Sequence, residues 1–520
     1  MFIRLFALPF LLLLHFASPA QNDNNIKAVK TNAGLVSGIS NKDGDIHIYK
    51  GIPFAAPPIG NLRWKEPQPV VAWSGVKKCD AFSASPMQAK PSPFGVWTEE
   101  FLIPKEPISE DCLYLNVWTG AKKSTEKRPV IVWIYGGGFS SGGAGCAIYD
   151  GEAMAKKGIV FVSINYRVGI FGFFAHPELT KESDHHASGN YALMDQVAAL
   201  KWVQKNIAAF GGDVNNVTIA GQSAGSMSVN CLVASPLTKG LFHRAIAESG
   251  ASFVSSPFRA AATLQQGEEA GVKLAETLKV SSLEALRNMK ADELFSSAKV
   301  QASPIIDGYV LPETIERIFA KGMQNDVPVL TGWNEDDGLL FGPPNTAAEW
   351  QKQAGEQYGN NADVFLKFYP ATDDAAAAAS QLANSRDVIF GVQNYTWANV
   401  QTATGKSKVY LYNFTRKVPA TGEFVKYGAF HTGEVAYAYN NLKFLNNRPF
   451  EKSDEALADL MSSYWVNFAI TGNPNGAGLP EWPVYTAKDN MVMILDEKSA
   501  AKKLPSKEAL DFLYDKISAK

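Results

Sequence analysis

Gly221-Gln222-Ser223-Ala224-Gly225 stands between a β-branched run ending at Ala220 and a helix-compatible segment starting near Ser226. A strand–turn–helix setting of this kind holds a serine on a sharp turn with its hydroxyl exposed, as a nucleophile for acyl transfer requires. The flanking glycines have a steric reason, because side chains there would meet the neighbouring strand and helix. Upstream, Tyr135-Gly136-Gly137-Gly138-Phe139 follows another strand candidate. The amides of Gly137 and Gly138, joined by that of Ala224, would surround the oxygen of a tetrahedral intermediate. Either stretch alone reads as a Gly-rich turn. Together they describe one chemistry.

Such a site needs a rigid frame. Val130–Tyr135, Ile159–Ile164, Val217–Ala220 and Val409–Tyr412 are near-continuous apolar runs, as expected of strands covered on both faces. Leu193, Val197, Leu200, Val203 and Ile207 recur at helical spacing, and Gly211-Gly212 stops that helix. Strands alternating with helices predict an α/β sheet. Residues 255–405 read as helices and loops packed over it as a cap, with Ala375–Ala379 in a helix. No linker composition interrupts the chain, so residues 21–520 are read as one domain.

Composition excludes several classes. The balance of 49 basic and 51 acidic residues leaves a net charge of −2, which gives nucleic acid or an anionic membrane no basic surface. Residues 1–20 carry one charge, Arg4, then the apolar run Leu5–Phe16 and small residues up to Ala20, the pattern of a cleaved signal peptide. That run is shorter than the roughly 20 residues of a spanning helix. The reading is a secreted or periplasmic protein with no membrane span in its mature chain. Cys79, Cys112, Cys146 and Cys231 form no CxxC or Cys/His cluster, so no metal is expected.

Further blocks run through the chain. They include Gly51-Ile52-Pro53-Phe54-Ala55, Ser109-Glu110-Asp111-Cys112-Leu113-Tyr114-Leu115-Asn116-Val117, Asn165-Tyr166-Arg167, Phe210-Gly211-Gly212-Asp213 and Gly472-Asn473-Pro474-Asn475. With the two glycine motifs, they resemble the type-B carboxylesterase and cholinesterase family over nearly the whole mature chain. The resemblance implies an α/β-hydrolase fold, a large, mostly parallel central sheet flanked by helices, with helical insertions around a gorge. It implies a serine carboxylesterase with no cofactor, acting on a small-molecule ester.

Gly428-Ala429-Phe430-His431-Thr432-Gly433-Glu434 resembles the family's catalytic-histidine segment, and Gly332-Trp333-Asn334-Glu335-Asp336-Asp337-Gly338 its acid loop. The carried-over triad is Ser223, Asp337 and His431, in the order the fold requires. Many relatives carry Glu where Asp337 stands, and Glu335 and Asp336 are the alternatives. The resemblance also implies a disulfide between Cys79 and Cys112, leaving Cys146 and Cys231 as free thiols. Trp97 does not clearly match the spacing of a choline-binding tryptophan and reads as loop packing. Phe139, Trp333 and Phe341 suggest a hydrophobic gorge. The rival function is a catalytically silent adhesion or binding module of the same fold.

Overall fold

The computed structural model describes residues 28–254, 262–297, 302–340 and 342–518. The signal segment 1–20 and Phe341 lie outside them.

The frame is an eleven-stranded sheet. In chain order its strands are β1 (Ile39–Ser40), β2 (His47–Pro53), β3 (Tyr114–Thr119), β4 (Arg128–Ile134), β5 (Val160–Ile164), β6 (Gly212–Gln222), β7 (Arg244–Glu248), β8 (Val329–Asn334), β9 (Val409–Phe414), β10 (Met491–Leu495) and β11 (Ala500–Lys503). In space they run β11-β10-β9-β8-β7-β6-β4-β5-β3-β2-β1. Strands β5, β4, β6, β7, β8, β9 and β10 are parallel to their neighbours, and antiparallel strands close both edges. The parallel strands are apolar and buried because helices cover both faces.

After β4 the chain moves to β5 on one side and returns to β6 on the other. That reversal opens a crevice at the C-terminal ends of β4 and β6, where ligands bind in open α/β sheets. The Gly136–Gly138 loop follows β4, and Ser223 follows β6.

The helices that matter for the site are α1 (Tyr191–Asn206), α2 (Ala224–Ala234), α3 (Asp374–Arg386), α4 (Val392–Thr404), α5 (Val435–Ala438) and α6 (Lys452–Thr471). Helix α1 covers the stretch predicted from Leu193, Val197, Leu200 and Val203; a 3₁₀ turn over Ile207–Phe210 extends it, and Gly211 at φ 82° turns the chain out. Residues 262–404 supply further helices, including α3 over the alanine run. Among the described residues, no helix is long and apolar enough to cross a membrane.

The pairing of Cys79 with Cys112 is not found, because all four cysteines are buried free thiols. The reason is the path of β2. Lys50 of that strand donates its amide to the Cys79 carbonyl, whereas Phe54, just past its end, donates to Leu113, on the side where β3 pairs. The two cysteines therefore lie beside different stretches of β2. Burial pushes the Cys79 and Cys146 thiols up to about 12.

Candidate active site

Ser223 is the single residue between β6 and α2, and it carries φ 58° and ψ −122°. A side-chain-bearing residue holds such angles only when its surroundings impose them. They do so here from three sides. A Cβ on Gly225 would lie 2.0 Å from the Ile134 carbonyl, and one on Gly221 2.6 Å from the backbone of Gly225. Only hydrogens fit, so β6, α2 and β4 close together. The Ser223 amide donates to the Glu248 carbonyl at 2.9 Å, and its carbonyl accepts from Met227 at 2.9 Å. Ser223 is partly exposed while Gln222 and Ala224 are buried.

The glycine loop presses on this turn. A Cβ on Gly136 would stand 2.6 Å from the Gln222 carbonyl and 3.0 Å from Ser223 Cβ. Gly137 and Gly138 have φ 114° and 64°, in the region that favours glycine. The Gly137 carbonyl accepts from Ser140 and Ser141 at 3.1 and 3.0 Å. Among the described residues, no acceptor takes the amides of Gly137 and Gly138. The Ala224 amide, at the first turn of α2, has no acceptor within its helix. Tyr135 and Tyr166 stack at 4.3 Å and exchange hydroxyl–carbonyl hydrogen bonds of 2.8 and 2.7 Å, which fixes the base of the loop.

Asp337 and His431 meet. His431 Nδ1 lies 2.9 Å from Asp337 Oδ1. Asp337 Oδ2 accepts from the Ser249 hydroxyl and the Asn334 amide, both at 2.7 Å. Both residues are buried. The two alternative acids do other work. Asp336 Oδ2 accepts from the Ala429 amide at 2.7 Å and so holds the histidine loop. Glu335 pairs with Arg386 at 2.9 Å on the surface side.

The imidazole is sandwiched. Phe390 stacks on one face at 4.4 Å, and Trp97 stands edge-on at 6.2 Å. Trp97 is thus more than loop packing: its Nε1 donates to Thr432 Oγ1 at 3.1 Å, one residue past the histidine. Gln222 Nε2 lies 3.3 Å from His431 Nε2. Among the described residues, no hydrogen bond joins Ser223 Oγ to the ring, and Gln222 Nε2 lies within 3.5 Å of both ring nitrogens. Catalytic hydrogen bonds that are loose without ligand commonly tighten in the Michaelis complex.

Phe390 reaches the ring through a π-helical turn, Asp387–Gly391, between α3 and α4. An extra residue in a helix re-aims the side chains around it, which is why such turns cluster at functional sites. Arg386 anchors this one. Its guanidinium pairs with Asp387 at 2.7 Å and reaches both the carboxylate and the carbonyl of Glu335, at 2.9 and 3.0 Å. Tyr369 donates to Asp387 Oδ2 at 2.8 Å. The aromatic support of His431 is thereby tied to the loop that carries Asp337.

Two further carboxyls, Glu248 and Glu434, are fully buried nearby. Burial pushes both up; for Glu434 the negative charges of Asp337 and Glu248 add to it. Other histidines are engaged structurally. His176 Nδ1 caps a helix by accepting from Glu178 at 3.2 Å, and His243 Nδ1 accepts from Val217 at 3.2 Å. Trp333 is buried in β8, and Phe139 packs on Phe173.

Sequence reasoning passed over Ser249, Gln222, Phe390 and Arg386. Ser249 had a findable signal, since it ends the strand beside the nucleophile strand. Phe390 had none, because its aim depends on the π turn.

The carboxylesterase family model matches residues 25–513. The chain is 36% identical over 499 residues to fumonisin B1 esterase of Sphingopyxis macrogoltabida, covering 91% of this chain and 87% of that protein. It is 35% identical over 511 residues to liver carboxylesterase 1 of Oryctolagus cuniculus, covering 89% and 88%. With para-nitrobenzyl esterase of Bacillus subtilis (strain 168) it shares 33% over 507 residues, 94% of this chain and 98% of that one. A solved PNB esterase structure superposes with a TM-score of 0.80 at 30% identity, covering 94% of this chain and 99% of that chain.

Proposed function

Given that the chain belongs to the carboxylesterase family and is a carboxylic ester hydrolase, we propose that it works through Ser223, His431 and Asp337 and an acyl-enzyme intermediate. The observation that carries this reading is the contact of 2.9 Å between His431 Nδ1 and a buried Asp337 that accepts two further hydrogen bonds. A carboxylate so engaged orients the imidazole and leaves Nε2 as the proton acceptor.

His431 Nε2 takes the Ser223 proton as the hydroxyl attacks the ester carbonyl, with the Gln222 amide moving aside. The oxyanion sits among the amides of Gly137, Gly138 and Ala224. Collapse expels the alcohol, which takes its proton from His431, and the acyl group stays on Ser223. Water then repeats the sequence, activated by the same imidazole, and releases the acid. The amides are already directed by the left-handed glycines, so no reorganisation is needed as charge develops.

The aromatic surroundings of His431, Phe390 and Trp97, with Phe94 tilted against Trp97 at 4.8 Å, favour a small to medium hydrophobic ester. Residues 1–20 serve as a cleaved export signal, and residues 21–520 form one catalytic domain. The test is hydrolysis of p-nitrophenyl esters of graded acyl length by the purified protein and by Ser223→Ala. Wild-type turnover that the variant lacks supports the proposal. Equal turnover by both proteins refutes it.

A further inference from the structure

Near Asp337, where α5 and α6 pack, lies a cluster of buried polar side chains that the acyl-transfer steps leave unused. Glu248 on β7, Gly332 on β8 and Tyr412 on β9 stand in one register row. Side chains in such a row share a face of the sheet. Gly332 leaves a gap in the row, and Tyr412 fills it: its Cδ1 lies 2.5 Å from where a Cβ on Gly332 would stand. The phenol ring also lies 5.6 Å from that of Trp465, which donates to Glu248 Oε1 at 2.8 Å. Two residues along β8, Asn334 donates through Nδ2 to Glu434 Oε2.

Hydrogen bonds in this cluster leave several oxygens unmatched. Glu248 Oε1 is satisfied by Trp465 and by the Tyr439 hydroxyl at 2.9 Å. Glu248 Oε2, Glu434 Oε1, Asn334 Oδ1 and Tyr412 Oη have no partner among the described residues. All four residues are 0% exposed. With both carboxyls ionised, three of these oxygens only accept, and the single phenolic proton is the one donor among four. Unmet buried acceptors are costly, and two unpaired buried carboxylates more so. A neutral carboxylic acid in place of one carboxylate brings a second donor.

We infer that Glu434 is held among these buried oxygens as the neutral carboxylic acid. Glu434 then acts as a positioning residue. Through Asn334, whose backbone amide donates to Asp337 Oδ2, it steadies the acid loop without adding a second charge beneath the imidazole. Desolvation and the neighbouring negative charges of Asp337 and Glu248 act in the same direction. Among the described residues, the ionisable groups that interact with Glu434 are Asp337 from the loop after β8, Glu248 from β7, Tyr412 from β9 and Tyr439 after α5.

The inference rests on Asp337 being the partner of His431, but its main test is independent of turnover. Infrared spectra of the whole protein at pH 7, unlabelled and with ¹³C-glutamate, report the carbonyl stretch of a protonated carboxylic acid. A band that shifts with the label, persists in Glu248→Gln and disappears in Glu434→Gln is the expected result. Absence of a label-sensitive band in the wild type overturns the proposal, whether or not the variants fold. So does a band that survives Glu434→Gln. Activity gives a second readout. Because Gln is also neutral, Glu434→Gln leaves the acid limb of kcat/KM where it is in the wild type. A downward move of that limb by about one pH unit, as removal of a real charge at this range would cause, also overturns it.

Discussion

Phe390 lies nearly parallel to the imidazole of His431, with ring centres 4.4 Å apart and planes 21° from coplanar. The phenyl ring arrives from a π turn whose Asp387 is clamped by Arg386, and Arg386 also grips the backbone of the acid loop at Glu335. One guanidinium thus ties the aromatic neighbour of His431 to the loop that carries Asp337.

Phe390→Ala removes that support without touching a reacting atom. A stacked aromatic pair contributes about 0.5–1.5 kcal/mol beyond its buried area. The expected result is a fall in kcat of roughly 2- to 10-fold from looser imidazole positioning, with Phe390→Leu intermediate. Steady-state kinetics on a p-nitrophenyl ester checks it. A change confined to KM would assign Phe390 to substrate binding alone.

Asp337→Asn keeps the shape of the acid and removes its charge. By analogy with the same change in other Ser-His-Asp hydrolases, kcat should fall by about 10⁴ while the fold persists. Glu335→Gln, at the surface ion pair, should stay near wild type. Comparable losses in both variants would contradict the assignment of the acid.

Ser249→Ala deletes one of the two donors to Asp337 Oδ2. Hydrogen bonds to a charged group contribute about 1.5–3 kcal/mol, so kcat/KM should drop by roughly 10- to 100-fold. Ser249→Thr, which keeps a hydroxyl, should recover part of it.

Gly138→Ala separates oxyanion geometry from folding. A Cβ there meets nothing within 4 Å, but φ is 64°. Gly158 is equally open, at φ 92° and away from the site, and serves as the control. Both Ala variants should lose about 1–2 kcal/mol of stability from left-handed strain. Only Gly138→Ala should also lose activity, by roughly 10²-fold, if its amide is turned from the oxyanion. Matching activities in the two variants would remove Gly138 from the hole.

Stability should fall with rising pH through a window set by the two buried glutamates. Both are raised above their ordinary 4.5 in the folded protein. Above that pH the unfolded chain has released protons that the folded state still holds, so folding is progressively disfavoured until the raised values are passed. Glu434→Gln carries no proton to lose, and its stability relative to wild type should improve from pH 5 to pH 8, by up to about 1 kcal/mol per pH unit. Urea midpoints at both pH values measure the difference. An unchanged gap would mean that Glu434 is ionised in both states.

The elbow was legible because its packing is encoded in residue type. Gly221 and Gly225 touch backbone of their neighbours, and no other residue fits. The strands before Tyr135 and Ser223 announced themselves as buried apolar runs. The acid loop could be read only to within three adjacent carboxylates, since Glu335, Asp336 and Asp337 differ in direction rather than in type. The clamp at Arg386 and the aim of Phe390 were hidden, because a one-residue excess in a helix leaves no compositional trace. The Cys79–Cys112 disulfide that the resemblance implied is not present, since the two residues lie beside different stretches of β2.

Ser223 as nucleophile and His431 as its base are tested by labelling with an organophosphate, followed by mass mapping of the modified peptide. One adduct is expected, on Ser223, absent in Ser223→Ala and formed far more slowly in His431→Ala. An adduct on another residue, or labelling that persists in Ser223→Ala, would contradict that assignment.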